Sequence, residues 1–169
     1  MLAKDVMNPN PRVVLKKDER VMDALRKMYE KGVIAAPVIN DNGKVVGIFL
    51  LRNVLKYLES RYRELNIFIP PTPFDVIEIP VSPKPESLKD VFKKLLNMKV
   101  HELSCKAKVV KPENDLEDVI DILVNKKTNI VPVVDEDCKL LGVITQMDIM
   151  RAMFKNKNHS SSSSSSSSS

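Results

Sequence analysis

The chain is poor in the residues that build metal centres and covalent sites. Among its 169 residues only Cys105 and Cys138 are cysteines, and only His101 and His159 are histidines. No CxxC pair occurs, so the sequence indicates neither a disulfide framework nor a structural zinc site. Glycine is scarce, with four residues and no Gly-rich phosphate loop. No Cys/His pair and no paired carboxylates outside ordinary helix surfaces offer a catalytic constellation, so no enzyme activity and no catalytic cofactor are expected. The longest apolar run, Val33 to Ile39, is broken by Pro37 and falls far short of the ~20 residues that span a membrane. Met1-Leu2-Ala3-Lys4-Asp5 meets a charge too early for a signal peptide. These absences point to a cytoplasmic protein with reduced thiols and no membrane partner. Lys+Arg 27 against Asp+Glu 22 leaves +5, scattered along the chain, which gives no argument for nucleic acid.

What the chain does contain is a repeat. Sliding it by 95 residues lays Val13–Lys56 over Lys108–Arg151 without a gap, with eight identities that include Pro37/Pro132, Val38/Val133 and Gly47/Gly142. Apolar positions agree more widely: Val21, Leu25 and Met28 fall on Leu116, Ile120 and Leu123. Each copy predicts a short strand (Arg12–Leu15, Lys108–Val110), a helix with apolar spacings of three and four, then a hairpin and a final helix. The hairpin strands are Ile34–Ile39 with Lys44–Leu50, and Asn129–Val134 with Lys139–Thr145. The last helices run from Arg52 to about Arg63 and from Met147 to about Phe154. Asp18 is expected to cap the first helix of copy one, and Asn114 with Glu117 to form a capping box in copy two. Gly32 suits a helix C-terminus, and Pro37 and Pro132 suit a sheet edge.

The division expected is 1–65 for copy one, 66–99 for a Pro-rich apolar insert and linking helix, 100–155 for copy two, and 156–169 for a disordered tail. Ser160–Ser169 are all serine and cannot bury apolar surface. Ile67, Phe68, Ile69 and Phe74 in the insert are apolar enough to be expected to pack on the module or on a second copy.

Two β-α-β-β-α copies resemble a tandem pair of CBS domains. The residues that carry the resemblance are Ala35-Ala36-Pro37-Val38 with Gly47-Ile48-Phe49-Leu50-Leu51-Arg52-Asn53, and Ile130-Val131-Pro132-Val133 with Gly142-Val143-Ile144-Thr145-Gln146-Met147-Asp148. Glu102-Leu103 opens copy two as Asp5-Val6-Met7 opens copy one, with a two-residue difference in spacing. The resemblance implies an α/β (α+β) fold in which the copies pack about a pseudo-two-fold axis. It also implies regulation rather than catalysis, with AMP, ADP, ATP, S-adenosylmethionine or methylthioadenosine held in clefts between the copies, and a homodimer acting on a regulated protein partner. By that likeness Asp148 would accept from ribose hydroxyls, Thr145 would meet a phosphate, and Val13, Ile34, Ala35 and Val143 would complete the cleft. A second, weaker cleft would use Asn53, Asn129 and Ile130, with Leu50 and Asn53 standing where copy two has Thr145 and Asp148.

The residues leave two readings of Thr145 and Asp148 open. An ionised carboxylate is a strong acceptor for a vicinal diol, and a helix N-terminus favours an anion. Thr-x-x-Asp at a strand-to-helix junction is equally a capping box. By the same likeness, members that hold several phosphates often carry a basic residue just before the strand proline; Ile34, Ala35, Asn129 and Ile130 stand there in this chain, and Arg12, Lys127 and Arg151 are the candidates to compensate. The alternative for the whole chain is an interaction scaffold with degenerate clefts.

Overall fold

The structure, a computed structural model, describes residues 1–66 and 87–165. Ile67, Phe68, Ile69 and Phe74 lie outside the described residues. In chain order the elements are α1 (Ala3–Val6), β1 (Leu15–Lys16), α2 (Val21–Lys31), β2 (Ala35–Ile39), β3 (Val45–Leu50), α3 (Leu51–Asn66), α4 (Leu88–Asn97), α5 (Val100–Leu103), α6 (Leu116–Asn125), β4 (Ile130–Val134), β5 (Leu140–Thr145) and α7 (Gln146–Ser165). The repeat is visible in the helices α2 and α6, in the hairpins β2–β3 and β4–β5, and in the helices α3 and α7 that follow them. β2–β3 and β4–β5 are antiparallel hairpins with matching registers and a bulge at the same place, Val38/Ile39 and Val133/Val134.

Local chemistry explains the turns. Asn40 accepts through Oδ1 from the Asn42 and Lys44 amides, at 2.9 and 3.0 Å. Asp135 does the same for Asp137 and Lys139, both at 2.9 Å. Gly32 and Gly43 take positive φ, 65° and 78°, and their repeat mates are Lys127 at 50° and Cys138 at 63°. Copy two thus holds two side-chain-bearing residues in the left-handed region where copy one uses glycine.

Several expectations change. Asp18 is not the cap of α2, whose N-cap is Arg20. Asn114 and Glu117 form no capping box: the N-cap of α6 is Asp115, and Asn114 Oδ1 accepts from the Lys111 amide at 2.8 Å instead. Short polar side chains here close the turn ahead of the helix. Pro37 is buried and pairs with Ile48 inside the middle strand of the order β1-β2-β3, not at an edge. It is accommodated because β1 pairs only from Val38 onward. The first strand of copy two shrinks to one bridge, Val110 with Val133. In copy one the Lys17 amide donates to Ile39 at 3.0 Å. Its repeat mate is Pro112, which has no N–H to give. α7 runs past its expected end near Phe154 to Ser165, taking in part of the serine tract read as disordered; no proline or glycine interrupts it.

The copies exchange their opening segments. Bridges join Leu2 to Asp115 and Asn8 to Val143, and their mates join Lys99 to Arg20 and Cys105 to Ile48. The opening of copy one therefore lies on copy two and the reverse. Each contact has its counterpart: the Ala3 amide donates to Asn114 and the Val100 amide to Glu19, at 2.8 and 2.9 Å. Lys44 bridges Lys139, its own repeat mate, so a pseudo-two-fold axis passes between them. One buried cluster is centred on Leu15, Val38 and Phe49, another on Val131, Val133 and Ile144, and a third, of Ile48, Leu50, Ile130 and Val143, joins the copies.

Candidate functional site

Beside that third cluster lies a cavity of about 390 Å³. Its walls come from both copies. The loop before β1 supplies Arg12 and Val13, the entry to β2 supplies Ile34 and Ala35, and the end of β5 with the start of α7 supplies Val143, Thr145, Asp148 and Arg151. All six residues expected in the main cleft meet here. Val13 and Val143 are buried, whereas Ile34 is 54% exposed and offers the cavity an apolar surface.

Asp148 is 5% exposed, a nearly buried carboxylate, and its partners are all on its own junction. Oδ2 accepts from the Thr145 amide at 2.8 Å and from Thr145 Oγ1 at 2.9 Å. Oδ1 accepts from Arg151 at 3.0 Å. The Asp148 amide in turn donates to Thr145 Oγ1 at 3.4 Å. The capping box is therefore formed. A carboxylate has about four acceptor positions, so Oδ1 keeps one for a further donor. Thr145 has a single hydroxyl proton and gives it to Asp148. It can donate to a phosphate only by releasing that contact, so capping and phosphate binding compete at Thr145.

The weaker cleft is not built as expected. Asn129 and Ile130 line the same cavity as Thr145 and Asp148, and Asn53, half-buried in the first turn of α3, is not in its wall. The cause is the position of the axis: β2 and β4 pack against each other across it, so the start of β4 faces the main cavity. Leu50, the mate of Thr145, is 5% exposed within the cluster that joins the copies. Asn8, Pro11 and Gln146 also line the cavity and were not anticipated. The repeat held a signal for Asn8, since its counterpart Cys105 stands at the matching place in the second opening. Of the three basic candidates, Arg12 and Arg151 reach the cavity and Lys127 is not among its lining residues. A second, more open concavity of about 450 Å³, between β1 and α5, holds Lys17, His101 and Lys106 and none of the expected site residues. Among the described residues no cluster of His, Cys, Asp and Glu could hold a metal, and no helix is long and apolar enough to cross a membrane.

The CBS domain matches this chain twice, over residues 3–60 and 100–155. The chain is 31% identical over 156 residues to the uncharacterized protein MJ1426 of Methanocaldococcus jannaschii, covering 90% of this chain and 91% of that one. It is 30% identical over 165 residues to the chloroplastic CBS domain-containing protein CBSX2 of Arabidopsis thaliana, covering 92% of this chain and 65% of that one. The crystal structure of CBSX2 in complex with AMP superposes with a TM-score of 0.66 at 27% identity, over 92% of this chain and 98% of that one. The CBS domain pair of MJ0100, solved with 5′-methylthioadenosine and S-adenosylmethionine, superposes with a TM-score of 0.63 over 93% of this chain and 98% of that one, and at 18% identity speaks for the fold alone. This chain belongs to the CBS-domain family, as a tandem pair.

Proposed function

We propose that this CBS-domain pair is a non-enzymatic sensor that binds an adenosine-containing ligand between its copies. The observation that carries the reading is the 390 Å³ cavity in which a nearly buried carboxylate, an exposed isoleucine and two guanidiniums converge from both repeats. Its size lies within the usual range for small-molecule sites. The apolar Ile34 and Ala35 suit the faces of a purine, and the remaining acceptor position on Asp148 Oδ1 suits a ribose hydroxyl. The AMP complex of CBSX2 supports the same ligand class. Free thiols at Cys105 and Cys138 support a reducing compartment such as the cytoplasm.

The rival reading, a scaffold with degenerate clefts, draws on Leu50, which is buried where the second cleft would need a polar group. A thermal-shift screen separates the two. A ligand near 100 times its Kd adds ~2.7 kcal/mol, which for a chain of this size raises Tm by roughly 5–10 °C. No shift with any adenosine compound at millimolar concentration would leave the scaffold standing.

Among the described residues the module also carries an uncovered face, which we assign to a second copy. On copy one, α4 packs against α2 and α3 and places Leu95 in the core cluster against which Leu25 and Leu58 pack. Their repeat mates on copy two, Ile120 and Met153, are 40% and 65% exposed, beside exposed Val124, Met150 and Phe154. Acidic Glu117 and Asp121 on α6 and basic Lys155 on α7 lie on the same two helices, so a two-fold contact between copies can set opposite charges against each other. Light scattering at roughly tens of micromolar, a range in which weak interfaces fill, is expected to give a dimer. Val124→Lys with Met153→Lys should return it to monomer, and a wild-type monomer would remove the assignment.

A further inference from the structure

We infer that the open concavity between β1 and α5 is a docking surface for a segment of a partner protein that carries both acidic and apolar side chains. It shares no lining residue with the cavity assigned to the adenosine ligand, and it stands whether or not that ligand binds. Its cations are Lys17, just after β1, and His101 and Lys106, from the opening of copy two that lies across copy one. Asp18 is the one carboxylate among the described residues that line it. Among the described residues the Lys17 and Lys106 ammoniums have no carboxylate within ion-pair distance, whereas Lys27 and Lys111 are paired with Glu19 and Glu136 at 2.8 and 2.7 Å. Each ammonium has three donors, and His101 carries an N–H donor in either of its charge states. Val46, in the same wall, is 48% exposed, an apolar surface that a partner side chain would remove from water.

Copy two does not repeat this cluster. With Leu2 set on Lys99 in the openings, the counterparts of Lys17 and Lys106 are Pro112 and Pro9, and His101 falls on Lys4. The cations are therefore not a by-product of the fold that both copies share. At the axis, Lys44 and Lys139 bridge each other, which sets two like charges directly opposite, an unfavourable pairing. Both are exposed, and among the described residues neither ammonium has a partner. Lys44 leads into β3, the strand that carries Val46, so unpaired cations continue from the concavity along that hairpin. Carboxylates arrayed along a polypeptide segment match charges spread in this way, whereas a compact anion meets a few of them. The wall also joins the copies: the Cys105 amide and carbonyl both pair with Ile48 at 3.0 Å, and Ile48 belongs to the cluster between the copies. A change in their relative position therefore alters the docking surface.

Fluorescence anisotropy of the whole protein with a labelled peptide of alternating glutamate and leucine tests the assignment. The peptide is expected to bind, and to bind more weakly as salt is added. Its analogue with lysine in place of glutamate should not bind. Lys17→Glu together with Lys106→Glu should lower the affinity at least roughly tenfold, as two attractive contacts become repulsive. Lys4→Glu, at the counterpart place on copy two, should leave it within about twofold. Carbodiimide coupling on wild type needs no variant to fold. It joins a peptide carboxylate to a lysine amine as an amide, and mass spectrometry should locate the link at Lys17, Lys106 or Lys44. No binding of the glutamate peptide, links confined to other lysines, or an equal loss in Lys4→Glu would overturn the docking surface. Citrate displacing the peptide at equal concentration would also overturn it, in favour of a site for small free carboxylates.

Discussion

Gly142→Ala is expected to destabilise the protein by about 1–3 kcal/mol, the usual cost of forcing a methyl group into packed structure. A Cβ at Gly142 would stand 2.7 Å from the Asn8 carbonyl oxygen and 3.1 Å from Met7 Sδ. The thioether can swing aside; the carbonyl cannot, because it accepts from the Val143 amide at 3.0 Å while the Asn8 amide donates back to Val143 at 2.8 Å. Alanine therefore has to break the pairing that seats the opening of copy one on copy two. Gly47→Ala meets the mirror-image obstacle, the Cys105 carbonyl at 2.9 Å, and should cost somewhat less. For a chain of this size Tm should fall by several degrees. Because Asn8 and Val143 also line the cavity, Gly142→Ala should weaken ligand binding as well, whereas Gly47→Ala acts at the other end of the exchange. An unchanged Tm in both variants would mean that the openings are not held against the opposite copy.

Much of this arrangement was legible in the sequence, because a repeat converts one reading into two. Pro37 and Pro132, Gly47 and Gly142, and the apolar spacings of α2 and α6 share one offset and fall on the same structural positions. The exchange of openings was not legible. α1 and α5 are each four residues long, too short for periodicity to show which copy they pack on. The two-residue change in spacing before each first strand was its only trace. The caps differ from expectation because Asn114 closes a turn rather than a helix, and both choices look alike in sequence. Lys127 and Cys138 are a different case: their repeat mates Gly32 and Gly43 mark left-handed positions, so the comparison between copies contained the signal. The lining residues were legible as a set because they sit at strand ends. The assignment of Asn129 and Ile130 was not, since it depends on which side of the axis β4 presents, and that is a property of packing.

The other large effect expected is at Asp148. Asp148→Ala should weaken binding of AMP by roughly 1.5–3 kcal/mol, or about tenfold to hundredfold, the worth of a hydrogen bond to a charged group. The same substitution removes the cap, at a cost of ~1 kcal/mol in stability, so a loss of affinity alone does not separate the two roles. Two controls do. Thr145→Ala removes the hydroxyl that donates to Oδ2 at 2.9 Å and accepts from the Asp148 amide at 3.4 Å, weakening the cap while leaving the carboxylate and its pairing with Arg151. Asp148→Asn keeps the shape and an oxygen able to accept from the Thr145 amide, but loses the charge that pairs with Arg151 and attracts a diol. If Asp148 serves the ribose, adenosine and AMP should both lose affinity in Asp148→Ala and Asp148→Asn, and neither should lose much in Thr145→Ala. If affinity instead follows stability across the three variants, with Thr145→Ala as damaging as Asp148→Ala, the carboxylate is a helix cap and the ribose is held elsewhere. Asn53→Ala provides the reference: its side chain is outside the cavity wall, and it should leave both ligands unaffected.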